Sequence, residues 1–183
     1  SELEGKQPCY KKGSQVIKKP SEIGTLSDVI CDFTANGYRL LSDEEWEFAA
    51  RLRLPDGNEI SGESVTVNGT VYGYTKDGWP SGGTAAMTDN AHGKSTAEKV
   101  AWGGKYSNSQ GDMPGAGRCH KVGTAGKGDS SESGSGAKNA LGLYDMSGNI
   151  AEFCWNKPVQ QTSKARIRGG SVDKISSNFR EIG

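Results

Sequence analysis

The sequence predicts an α+β domain in which short strands and one helix are joined by long irregular loops. Only 33% of the 183 residues are hydrophobic and 27 are glycine, so a small core must carry many turns. One segment has the signals of a helix start, and another alternates like a β-hairpin around Asn-Gly. These observations favour one domain spanning residues 1–183 over a long helical architecture.

The first element expected is a short hairpin between residues 10 and 17. Its apolar residues flank Lys11-Lys12-Gly13-Ser14, a polar sequence suited to a turn. The lysines of this turn are expected to be solvated.

The clearest helix begins after Ser42, an N-cap residue followed by acidic residues that include a capping-box glutamate. Trp46 lies on one face with two alanines, and Glu47 can pair with Arg51 at i,i+4. The pattern predicts a helix through Leu52 that packs by its Trp46 face.

The middle of the chain is expected to contain an inserted lobe and a flexible loop. Residues 65–72 alternate around Asn68-Gly69, which predicts a two-residue hairpin within an inserted lobe at 60–98. Residues 123–136 are nearly all small or charged, a composition that predicts a flexible loop.

The C-terminal region, 139–183, the candidate binding region, differs in composition from the loop before it. Residues 140–155 are dense in apolar and aromatic side chains, with a tight turn at 145–149. A short strand is expected at 165–172, ending in Gly169-Gly170.

Charge and composition exclude several classes of function. Lys plus Arg and Asp plus Glu both number 22, so no overall field draws in nucleic acid or an anionic membrane. No stretch reaches the ~20 apolar residues that span a bilayer. The four cysteines never form C-x-x-C and the two histidines lack zinc-ligand spacing, so a soft metal site is not expected. The sequence leaves open two disulfides or buried free thiols.

Three segments resemble the formylglycine-generating-enzyme (sulfatase-modifying) family: NGYRLLSDEEWEFAAR at 36–51, NALGLYDMSGNIAEFCW at 139–155 and RGGS at 168–171. Their order and spacing agree with those of the family. The resemblance covers most of the chain except 60–98, and it implies a C-type-lectin-like fold with a small antiparallel sheet, few helices and long loops. We expect this chain to be truncated at both ends relative to the full protein.

The resemblance implies three kinds of activity: copper-dependent cysteine oxidation, iron-dependent sulfur chemistry, or binding without catalysis. Copper-dependent members need a cysteine pair after RGGS, because paired thiolates hold Cu(I), and no cysteine follows Ser171 here. Iron-dependent members need several histidines, and only His92 and His120 are present. Neither copper nor iron is therefore expected, and Cys154 is interpreted as a core residue.

The resemblance also implies a calcium site in the turn and strand near residue 150. Carried over to this chain, two side chains and three backbone carbonyls would provide hard oxygen ligands for Ca²⁺. These ligands are Asp145, Met146, Gly148, Ile150 and Glu152. The alternative is a turn in which Asp145 caps its own backbone.

Departures from the family pattern point to a binding surface. Ala151, Phe153 and Val172 stand where the family usually has Trp, while GLYDMSGN and RGGS are intact. A constant frame with altered residues near the C-terminus resembles the variable proteins of diversity-generating retroelements, a treponemal one in particular. Ordinary drift in a non-catalytic relative is the alternative. The expected ligand-binding residues are Ala151, Phe153, Trp155, Asn156, Lys157, Val172, Asp173, Lys174, Ser177, Asn178 and Glu181.

The function expected from the sequence is therefore binding of a protein or other macromolecule rather than nucleic acid. The alternatives are a copper-dependent oxidoreductase acting on sulfatase cysteines, and a structural subunit of a larger assembly. The resemblance implies a bacterial cell-surface, periplasmic or extracellular location, with a lipid anchor compatible with a preceding N-terminal segment.

Overall fold

This computed structural model describes residues 2–25, 28–57, 59–76, 81–83, 100–103, 118–125, 134, 136, 138–155 and 166–172. Within these residues, short strands and little helix make up the regular structure. In chain order the elements are β1 Tyr10–Lys12, β2 Gln15–Val16, β3 Val29–Cys31, α1 Asp43–Arg51, β4 Leu52–Arg53, β5 Glu59–Val67, β6 Thr70–Thr75, β7 Glu152–Cys154 and β8 Arg166–Arg168. Two single 3₁₀ turns, Glu2–Glu4 and Pro20–Glu22, accompany them. The α+β class, with small sheets and little helix, is confirmed.

The chain divides into two units, of which the first contains Ser1–Glu44 and Phe153–Arg166. Its sheet has the order β2-β1-β3, and the antiparallel pair β1–β2 confirms the predicted hairpin. Residues 153–155 join this unit through hydrogen bonding, since the Trp155 backbone N–H donates to the Leu41 carbonyl at 2.8 Å.

The second unit contains Glu45–Glu152 and Ile167–Gly183, and most of α1 belongs to it. Trp46 is 2% exposed and Ala50 is fully buried, so the helix packs by the face that the sequence predicts. Glu47 and Arg51 pair at 3.1 Å, as expected. The helix ends at Arg51 rather than Leu52, because Leu52 pairs with Tyr74 in a β-sheet.

The sheet of the second unit has the order β4-β6-β5. Strands β5 and β6 form the predicted hairpin, in which Val67 pairs with Thr70 across Asn68 and Gly69. Both turn residues have positive φ, 48° and 80°, as a type I′ turn requires. Residues 77–80 and 84–98 of the expected inserted lobe lie outside the described residues, as does residue 58 just before it.

A buried cluster of Trp102, Ala125 and Val172 forms part of the core of the second unit. Ala125 falls in the segment 123–136, where the sequence predicts a flexible loop, but it is buried together with Thr124. Residues 126–133 and 135 of that loop lie outside the described residues. The strand expected at 165–172 is shorter, because it ends at Arg168 before two glycines with positive φ.

Candidate functional site

The turn at 145–149 has an unusual backbone. Asp145, Gly148 and Asn149 have φ of 54°, 87° and 60°, which lie in the left-handed region. Glycine, asparagine and aspartate enter this region at the lowest cost, so the residue types of the motif suit the turn that they form.

Asn149 joins three segments that are distant in the sequence. Its backbone N–H donates to the Trp102 carbonyl at 2.7 Å, and its carbonyl accepts from the Val172 N–H at 3.1 Å. Its side-chain amide accepts from the backbone N–H of His120 at 2.9 Å and donates to the His120 carbonyl at 3.0 Å. The His120 ring stacks on Trp102 at 3.9 Å. Asn149 therefore acts as a clamp, a residue that links these three segments by hydrogen bonds. Its place in a motif indicated that it matters, but the sequence did not predict this role.

Asn139 plays a similar part at the start of the same motif. Its Nδ2 donates to the Ala49 carbonyl at 2.8 Å and to Ser81 Oγ at 3.2 Å. Its Oδ1 accepts from the backbone N–H groups of Leu141 and Leu143. This residue ties the loop before the turn to the end of the helix.

The RGGS segment packs directly against the turn. The Gly169 carbonyl accepts from the Gly148 N–H at 2.5 Å. A Cβ at Gly169 would lie 3.3 Å from the Met146 carbonyl oxygen and 3.3 Å from the Trp46 ring, at a φ of +85°. Both the close approach and the conformation therefore require glycine.

Both carboxylates of the expected calcium site have hydrogen-bond donors. Asp145 Oδ2 accepts from the Gly123 N–H at 2.9 Å, so the contact reaches a residue 22 positions earlier rather than the local backbone. Glu152 Oε2 accepts from the indole N–H of Trp46. Burial raises the pKa of Asp145, against the lowering effect of the Gly123 N–H.

The donor set fits calcium in its chemistry. Each carboxylate oxygen has more than one lone pair, so one N–H donor leaves capacity for a cation. Within the part of the chain that the structure describes, no three His, Cys, Asp or Glu side chains gather as metal ligands. The expected set contains only two such side chains, so it stays a prediction.

The expected ligand-binding residues fall into three groups. Phe153 is 60% exposed, while Ala151 and Trp155 are half-buried. Val172 is only 7% exposed within the buried cluster of the second unit, so its expected outward position is wrong. Its backbone N–H is held by Asn149, which directs the residue inward. Outside the described residues lie Asn156, Lys157, Asp173, Lys174, Ser177, Asn178 and Glu181.

None of the four cysteines forms a disulfide within the described part of the chain, so neither of the two disulfides that the sequence left open is present there. Cys154 is buried, as expected for a core residue. Cys9 is also buried, and Cys119 is exposed. Among the described residues no helix has the length and apolar character needed to cross a bilayer.

Comparison with known proteins places these features in context. A family model described as "Sulfatase-modifying factor enzyme 1-like domain" matches residues 9–182. The chain is 29% identical over 152 residues to "Chaperone protein LppX" of Paenibacillus barcinonensis, covering 81% of this chain and 42% of that protein. It thus spans about two fifths of the length of this curated relative.

Two solved structures share the fold. Treponema denticola variable protein 1 has a TM-score of 0.55 and 22% identity, covering all of this chain and 57% of that one. A crystal structure of CarF has a TM-score of 0.50 and 26% identity, covering 96% and 52% of the two chains. The predicted C-type-lectin-like fold of the formylglycine-generating-enzyme type is confirmed by these similarities.

Proposed function

This chain belongs to the family of the sulfatase-modifying factor enzyme 1-like domain, and we propose that it binds a macromolecular ligand without catalysing a reaction. Among the binding residues predicted from the sequence, the structure describes two aromatic ones, Phe153 and Trp155, and the proposed surface is argued from these. Val172 is left out, because it belongs to the core.

The distribution of cysteines carries the proposal. A Cu(I) site of this family needs two thiolates after RGGS, and residues 172–183 contain none. Cys154, which precedes RGGS, is 2% exposed. A buried thiol in apolar surroundings behaves as a small hydrophobic residue rather than as a nucleophile.

The relatives support a class of ligand but not its identity. One relative is named a chaperone, and that name supports a protein as the ligand class for this chain as well. Diversification of the surface by a retroelement is the more specific proposal, and display at the bacterial surface is part of it.

A calcium ion is proposed as a structural component of the frame. Asp145 and Glu152 would provide carboxylate oxygens, and Met146, Gly148 and Ile150 would provide carbonyls. Bound there, calcium would supply charge neutralisation for the half-buried carboxylate of Asp145.

Catalysis is tested with a cysteine-containing sulfatase peptide. The chain is incubated with the peptide, copper and oxygen, and the peptide is analysed by mass spectrometry. We expect unmodified peptide, and a formylglycine product would replace the proposal with the copper-dependent oxidoreductase.

Diversification of the ligand surface is tested by deep sequencing of the 3′ end of the gene across isolates. Diversity should concentrate at Ala151, Phe153, Trp155 and the other predicted surface positions. Gly148, Asn149 and Gly169 should stay constant because of the contacts described above. Diversity that is even over frame and surface, or absent, contradicts the retroelement proposal and leaves a non-catalytic relative that has drifted.

A further inference from the structure

Trp155, a member of the proposed ligand surface, is held by contacts from the N-terminal part of the chain. Its backbone N–H donates to the Leu41 carbonyl at 2.8 Å. Its indole ring packs on the ring of Tyr10, with centroids 5.1 Å apart and planes tilted by 53°. Tilted aromatic pairs at this distance are favourable beyond the effect of their burial alone.

Tyr10 is itself fixed at both ends of its side chain. Its backbone lies in β1, the central strand of its sheet, where it pairs with Cys31 and accepts a hydrogen bond from the Ile17 N–H. Its hydroxyl accepts from the Leu40 N–H at 2.8 Å. Burial raises the pKa of Tyr10, so the hydroxyl stays neutral under ordinary conditions.

Tyr10 and Trp155 therefore hold the Leu40–Leu41 segment between them. Tyr10 receives the N–H of Leu40, and Trp155 gives its own N–H to the carbonyl of Leu41. The indole is thus in contact with a residue that is 145 places away in the sequence and outside the proposed ligand surface.

We propose that Tyr10 is a positioning residue that fixes the orientation of the Trp155 indole and so sets the geometry of the ligand surface. The consequence for ligand binding rests on the proposed function, but the positioning itself does not. Through this contact, a residue of the N-terminal sheet would give the side chain at position 155, here an indole, a defined direction on the ligand surface.

The proposal is tested by NMR of the tryptophan indole N–H groups, with the Trp155 signal assigned from the Trp155→Phe variant. In Tyr10→Leu the Trp155 signal should move, and its order parameter should fall from near 0.85, typical of a rigid group, to below about 0.6. In Tyr10→Phe the ring remains, so the Trp155 signal should stay ordered while exchange of the Leu40 amide becomes faster.

The matched control is Tyr74→Leu, which removes a tyrosine from another aromatic pair, Phe48–Tyr74 at 6.2 Å. It should leave the Trp155 signal unchanged, and the Trp46 and Trp102 signals should report an intact fold in every variant. A rigid, unshifted Trp155 indole in folded Tyr10→Leu overturns the proposal.

A reciprocal variant covers the case in which Tyr10→Leu does not fold. In Trp155→Leu the ring signals of Tyr10 should shift, and unchanged Tyr10 signals would show that the two rings are not in contact. The peptide assay and gene sequencing test the proposed function, and NMR tests the positioning, so either can fail while the other stands.

Discussion

The role of Asn149 as a clamp predicts a large effect of the isosteric change Asn149→Asp. The residue is 4% exposed, and its amide both donates to and accepts from the backbone of His120. Aspartate tolerates the φ of 60°, so the backbone adds little cost. The carboxylate, however, cannot donate to the His120 carbonyl, and it places a charge in the core.

The expected magnitude follows from these two losses. A buried acceptor left without its donor costs about 1–3 kcal/mol, and a buried unpaired charge adds to that, so we expect a loss of about 3 kcal/mol or more at neutral pH. For a domain of this size that lowers the thermal midpoint by about 6–12 °C. The assay is thermal or urea unfolding followed by circular dichroism.

The matched control is Asn68→Asp, the same change at a positive φ on an exposed hairpin turn. It should change the free energy of unfolding by less than about 0.5 kcal/mol. In Asn149→Asp, desolvation raises the pKa of the introduced carboxyl in the folded state, so the folded variant binds more protons than the unfolded one. Its deficit should therefore shrink as the pH falls. A deficit equal to that of the control, or one that grows in acid, would refute the reasoning.

Three further predictions concern calcium, packing and thiol reactivity. Calcium should stabilise the folded state by mass action, by about 2.7 kcal/mol at a concentration 100 times Kd, and so raise the thermal midpoint. The rise should be smaller in Glu152→Gln, and equal midpoints in Ca²⁺ and chelator would exclude the site. Val172→Ala should cost about 1–3 kcal/mol in urea unfolding because it leaves a cavity, whereas Phe153→Ala should cost under about 0.5 kcal/mol; the opposite order would contradict the burial of Val172. Cys119 should react with a thiol reagent in the native protein, while Cys154 should react only after unfolding; equal rates would contradict their difference in burial.

Local sequence signals determined the elements that depend on neighbouring residues. The capping sequence after Ser42 located the helix, and Asn68-Gly69 located the hairpin turn, because both act through hydrogen bonds and φ preferences within a few residues. The motifs around residue 148 and at RGGS identified the family and hence the fold.

Tertiary structure decided the direction and the contacts of side chains in the C-terminal motifs. Alternation and loop position suggested that Val172 faces outward, but the hydrogen bond to Asn149 and the cluster with Trp102 hold it inside. Two further contacts were not evident from local sequence: Asp145 accepts a hydrogen bond from Gly123 rather than from its own turn, and Trp155 packs on Tyr10. Local patterns carry no information about contacts between distant segments, because those contacts depend on how the chain brings the segments together.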